Sequence, residues 1–163
     1  MISNREACRE LAEEFDVPWF NIGDSQGKAD DVRMIELCDE YEVDYIILAR
    51  YMQILSDTFV DAFPNKVINM HHSFFFAFKG ARPYHSAYNR GVKVIGATSH
   101  YVTADLDEGP IIAQDVKRVS HKDSVKDLVR KSKDLEKVVL SQAIWLELQY
   151  KILPYKNKTI IFD

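Results

Sequence analysis

The segment VINMH, residues 67–71, carries Asn69 and His71 two positions apart. Side chains alternate between the faces of an extended strand, so these two project to one side, about 7 Å apart along the chain. An amide and an imidazole in that relation can both address one carbonyl group, the amide N–H polarising its oxygen and the ring moving a proton. A second stretch, TADLDEGP at 103–110, holds Asp105, Asp107 and Glu108 just ahead of Gly109 and Pro110. A carboxylate beside an imidazole supplies a base and an acid in one site when their surroundings set the two groups apart. Each feature also has a plainer reading. His71 can be a strand-end histidine bonded to backbone, His72 faces the other way and reads as structural, and acidic loops are commonly just solvated. The residues alone leave both readings open.

Several other chemistries lack a carrier. The six glycines form neither GxGxxG nor GxxxxGK[ST], and GxSxG is absent, so dinucleotide, P-loop and serine-elbow chemistry are unsupported. His71, His72, His85, His100 and Asp107 show no HExxH and no clustered His/Cys spacing, so no metal site is expected. Phe74, Phe75, Phe76 and Phe78 read as pocket wall and core rather than a base-stacking platform, because basic residues are not interleaved with them. A net charge of −4 without a dense Lys/Arg cluster gives no electrostatic footprint for nucleic acid or an anionic membrane, which leaves a small molecule as the favoured partner. No apolar run approaches the roughly 18 residues of a membrane span, and the cytoplasm is the expected location. Cys8 and Cys38 stand apart without CxxC spacing and are expected to be free thiols.

The elements that must position Asn69 and His71 alternate along the chain. Helical spacing over 4–16 and 29–41 flanks a short strand at 18–22. VDYIILA, 43–49, is the apolar run of a parallel strand covered on both faces. Ser56 caps a short helix that Pro64 and Asn65 stop, and Val67–His71 follow as the next strand. A helix from Pro83 to Arg90, strands at 94–102 and 111–119, and a long amphipathic helix from Ser124 to about Lys151 complete the order. Pro154 is expected to end that helix, and YKNKTIIF to form a short strand or hairpin. With 163 residues and no linker or repeat, one domain over 1–163 is expected. The fold class is α/β, a Rossmann-like open, mostly parallel sheet whose ligands collect beyond the carboxyl ends of the strands.

NMHHS (69–73), FKGARPYH (78–85), GATSHYVTADLDEGPI (96–111) and NKTIIF (157–162) together resemble the folate formyltransferase family. HHS with GARPYH resembles its deformylase branch rather than the glycinamide ribonucleotide or methionyl-tRNA enzymes. The resemblance implies that Asn69 holds a formyl oxygen, that His71 stabilises or protonates a tetrahedral intermediate, and that Asp107 orients His71 and assists water. It implies substrate contacts at Arg50, Tyr51, Met52, Ile54 and Leu55 of ARYMQILS (49–56), at Gly80 and Arg82, and at His100, Val102 and Gly109. The reaction implied is hydrolysis of 10-formyltetrahydrofolate to tetrahydrofolate and formate, with the folate as substrate and no permanently bound cofactor. An inactive folate-binding module, or a formyltransferase passing the formyl group to an amine, is the alternative. Two departures stand out. Phe75 and Phe76 occupy positions where the family has Leu-Pro, and the family's opening strand–helix–strand and N-terminal ACT domain have no counterpart here. The gap implies an uncovered strand edge and hence a homo-oligomer.

Overall fold

The computed structural model describes residues 1–71 and 82–162. Phe74, Phe75, Phe76, Phe78 and Gly80, together with His72, lie outside the described residues. The chain begins with β1 (Ile2–Ser3), a 3-10 turn (Glu6–Cys8) and α1 (Arg9–Glu14), followed by β2 (Phe20–Asn21) and α2 (Asp31–Glu40). Asp30 caps α2, its carboxylate accepting from the backbone N–H groups of Val32 and Arg33. β3 (Ile46–Leu48), α3 (Asp57–Ala62), β4 (Val67–His71) and α4 (Pro83–Arg90) follow, then β5 (Val94–Tyr101), β6 (Ile111–Arg118) and α5 (Val125–Leu148). A hairpin of β7 (Ile152–Tyr155) and β8 (Lys158–Ile161) ends the described chain.

The expected open sheet is realised as a mixed one, in the order β3-β4-β5-β6. β3 and β4 are parallel, as are β1 and β2 in a separate pair, whereas β5 runs antiparallel to both β4 and β6. The short loop at 102–110 allows the reversal between β5 and β6, since antiparallel neighbours need no crossover helix. The last helix also differs from expectation: α5 stops at Leu148, and Tyr150 takes φ 54°. Pro154 instead lies within β7, whose single partner is β8.

Alternation of side chains along the strands divides the core. Leu48 and Val67 face α2 and α3, packing with Met34, Leu37, Cys38 and Phe59. Ile68, Ala97 and Tyr101 face the other way, onto Leu135, Val139 and Ala143 of α5. The amphipathic α5 therefore lids one face of the sheet. Its Glu147 is nearly buried and accepts from the Tyr101 hydroxyl, and Tyr45, next to β3, also bonds it. Two hydroxyls on one carboxylate satisfy a group that would be costly to bury alone. Cys8 is exposed, Cys38 is buried, and both are free thiols.

Candidate active site

β4 explains why Asn69 and His71 are available for chemistry. Both continue the face occupied by Val67, but they lie beyond the apolar cluster, at the carboxyl end of the strand. Register then brings β5 beside them, pairing Asn69 with His100 and His71 with Thr98. Cross-strand partners share a face, so His100 joins the pair. The His71 and His100 rings meet edge to face with centroids 4.9 Å apart.

His100 is 1% exposed, and its Nδ1 lies 2.9 Å from the backbone oxygen of Tyr101. A carbonyl can only accept, so Nδ1 carries a proton and in the neutral ring the Nε2 lone pair points outward. Nε2 is buried without a hydrogen-bond partner and stands 3.6 Å from Asp107 Oδ1. The register between β5 and β6 breaks beside it, between Ser99 and His100, where β6 carries one residue more than β5. Bulges of this kind recur where a strand must redirect a functional group.

Asp107 comes from the 102–110 loop and adopts φ 58°, a left-handed conformation that Asp tolerates better than most residues. The loop is tied by Thr103 Oγ1 donating to the Asp105 carbonyl, and by the Tyr101 N–H donating to the Pro110 carbonyl. Gly109 lets it lie flat, since a Cβ there would fall 1.9 Å from the Tyr101 carbonyl oxygen. The carboxylate arrives 3.9 Å from His71 Nδ1 as well as beside His100. Of the residues expected to act together, Asp107 and His71 are thus neighbours at the carboxyl end of β4, with His100 beside both, and Asn69 lies two residues earlier on the same strand face.

A cleft of about 370 Å³ opens over this cluster, lined by His71, Thr98, Asp107, Gly109, Gln114 and Asn157 among others. Thr98, Gln114 and Asn157 were not anticipated. His71, Thr98 and Gln114 form a row across three strands, with Gln114 Nε2 donating to Thr98 Oγ1 at 2.8 Å. The sequence holds one signal for this row: Thr98 is two positions before His100, on the same strand face. Gln114 and Asn157 carry no such signal, because only tertiary pairing brings β6 and the β7–β8 turn to the cleft.

The remaining anticipated contacts are spread more widely. Leu48 pairs with Asn69, so the chain leaving β3 at Arg50 departs beside the strand end that bears His71. Arg50 is exposed, Met52 is 91% and Ile54 79% exposed, whereas Leu55 is buried in the core cluster with Tyr51 and Val102 packed against it. The Tyr51 hydroxyl is buried without a partner, and burial raises its pKa. Arg82 is exposed at the start of α4.

A family profile described as formyl transferase matches residues 1–144. The chain belongs to the formyl transferase family. Among formyl transferase relatives, the formyltetrahydrofolate deformylase of Synechocystis sp. (strain ATCC 27184 / PCC 6803 / Kazusa) is 51% identical over 164 residues, covering 99% of this chain and 57% of the relative. The crystal structure of a formyltetrahydrofolate deformylase from Pseudomonas syringae pv. tomato str. DC3000 superposes with a TM-score of 0.90 at 44% identity, covering 99% of this chain and 55% of that one. Glycinamide ribonucleotide transformylase 1 from Symbiobacterium toebii superposes with a TM-score of 0.86 at 33% identity, covering 99% and 79%. The chain thus spans about half the length of the curated deformylases it matches. Its α/β fold is that of the formyl transferases.

Proposed function

We propose that this chain hydrolyses 10-formyltetrahydrofolate to tetrahydrofolate and formate, with Asn69, His71 and Asp107 as the catalytic residues. The observation that carries the reading is the approach of Asp107 to His71 in an open cleft, with Asn69 two residues before His71 on the same strand face. The identity to deformylases over nearly the whole chain supports the substrate.

In this reading the Asn69 amide donates to the formyl oxygen, and Asp107 accepts a proton from water as its oxygen bonds to the formyl carbon. The tetrahedral intermediate carries an oxyanion that Asn69 and His71 stabilise. Collapse breaks the bond from carbon to N10, which takes a proton from the site, and formate leaves. Substrate contacts are assigned to Arg50, Tyr51, Met52, Ile54, Leu55, Gly80, Arg82, His100, Val102 and Gly109, with the exposed Met52 and Ile54 offering apolar surface to the pterin ring. No resident cofactor enters the scheme. Among the described residues no helix is long and apolar enough to cross a membrane, and a cytoplasmic location accords with that.

Formate release from 10-formyltetrahydrofolate tests the proposal, with and without glycinamide ribonucleotide as an amine acceptor. Release in water alone supports hydrolysis. Turnover that requires the amine identifies a transferase, and folate binding without turnover identifies a binding module.

A further inference from the structure

The same cluster has a property that its sequence spacing conceals. One ring nitrogen each of His71 and His100 and an Asp107 carboxylate oxygen all lie within 4.8 Å of one another. Three ligands of this type about 2.0–2.2 Å from a tetrahedral cation would stand about 3.4 Å apart. The 3.6 Å and 3.9 Å separations to Asp107 Oδ1 are close to that.

His100 gives the second and independent argument. Its Nδ1–H is committed to the Tyr101 carbonyl, and its buried, unpartnered Nε2 lone pair faces a carboxylate oxygen. Two such atoms so opposed are satisfied by a positive species between them, a proton on the ring or a bound cation. Metal-ligating histidines commonly hold their outer nitrogen on a carbonyl in this way, which fixes ring and tautomer. Two imidazoles and one carboxylate favour a borderline cation such as Zn²⁺ or Co²⁺ over Mg²⁺ or Ca²⁺.

We propose that His71, His100 and Asp107 form a three-ligand site for a borderline divalent cation, whose open coordination position faces the cleft and whose occupancy blocks turnover. A cation there takes the Asp107 lone pair that activates water and occupies the His71 nitrogen beside it, so it acts as an inhibitor. Cation binding stands on the geometry alone, whereas inhibition rests on the hydrolase reading above.

Cobalt(II) titration of the full chain separates the two. One equivalent should bind with the visible ligand-field absorption of a low-coordinate site, and Zn²⁺ should displace it. Asp107→Asn and His100→Ala should each weaken binding by at least about tenfold, the order of loss seen when metal sites are perturbed. Circular dichroism checks that each variant is folded, and Asp107→Asn, on an accessible loop, keeps the test decisive if His100→Ala is not. Absence of saturable binding, or binding unchanged in folded variants, overturns the site. Where formate release is measurable, Zn²⁺ should suppress it and a chelator restore it; cation bound at this site without loss of turnover overturns the inhibitory role. If the chain releases no formate at all, the hydrolase reading fails and the cobalt spectrum still decides the site.

Discussion

His100 Nε2 stands 3.6 Å from Asp107 Oδ1, and the ring behind it is anchored on the Tyr101 backbone carbonyl. That same carbonyl packs against Gly109, so the strand carrying the histidine and the loop carrying the carboxylate are fitted together at one point. The position of Asp107 relative to His71 follows from this fit.

Asp107→Asn keeps the shape of the side chain and removes its charge and basicity. Turnover should fall by about 10²–10⁴-fold, the usual worth of a positioned general base, with folate affinity nearly unchanged. Formate release and equilibrium folate binding, measured on the same preparation, check this. A variant as active as the parent removes Asp107 from the mechanism.

Gly109→Ala tests the fit between loop and strand. The new methyl group cannot occupy its place against the Tyr101 carbonyl, so the 102–110 loop must shift and carry Asp107 with it. Overpacking of this kind typically costs about 1–3 kcal/mol, read from denaturant unfolding, and turnover should drop as well. Parental stability and rate together would mean that the loop does not set the position of Asp107.

The fold was legible where local rules dominate. β4 and α4 have the expected limits because an apolar run, a helix-starting proline and Gly91 in the left-handed region mark them. The Ser56 cap is also as expected, with Phe59 N–H donating to its hydroxyl. Asn69 and His71 could be paired from strand alternation alone. The central place of His100 was harder to read, since it depends on cross-strand register. That His100 joins His71 and Asp107 was hidden for the same reason: β4, β5 and a loop contribute one residue each, so no local spacing encodes the trio.

The buried Glu147 predicts an alkaline limit to stability. Burial first, and then the bond to Glu147, push Tyr45 up to about 12 and raise Tyr101 as well, from an ordinary 10.0. The folded chain therefore holds these protons more tightly than the unfolded chain. Their contribution is full below pH 10, and that of Tyr45 is lost as pH rises through about 12. Denaturant unfolding at a series of alkaline pH values should show the decline, flattened in the Tyr45→Phe/Tyr101→Phe double variant. Tyr101→Phe alone should cost about 1–3 kcal/mol at neutral pH by depriving a buried carboxylate of a donor. Identical alkaline slopes in parent and double variant would assign the decline elsewhere.

Among the described residues β3 has a hydrogen-bonded strand neighbour on one side only, leaving the backbone of Ile46–Leu48 without a strand partner along its other edge. Natural sheets pair, charge or cover such an edge, and these three residues carry no charge. Self-association of the isolated chain through this edge is therefore expected, with sedimentation showing concentration dependence at tens of micromolar. A cooperatively folded monomer throughout that range would show that the edge is protected within the chain.

Formate release from 10-formyltetrahydrofolate, measured in the presence of excess EDTA for the parent chain and for His71→Ala, tests the central claim most directly. The account predicts release by the parent at a rate that EDTA does not reduce, together with its loss in a folded His71→Ala that still binds folate. Folate binding by the parent without formate release, or release that EDTA abolishes and zinc restores, would contradict it.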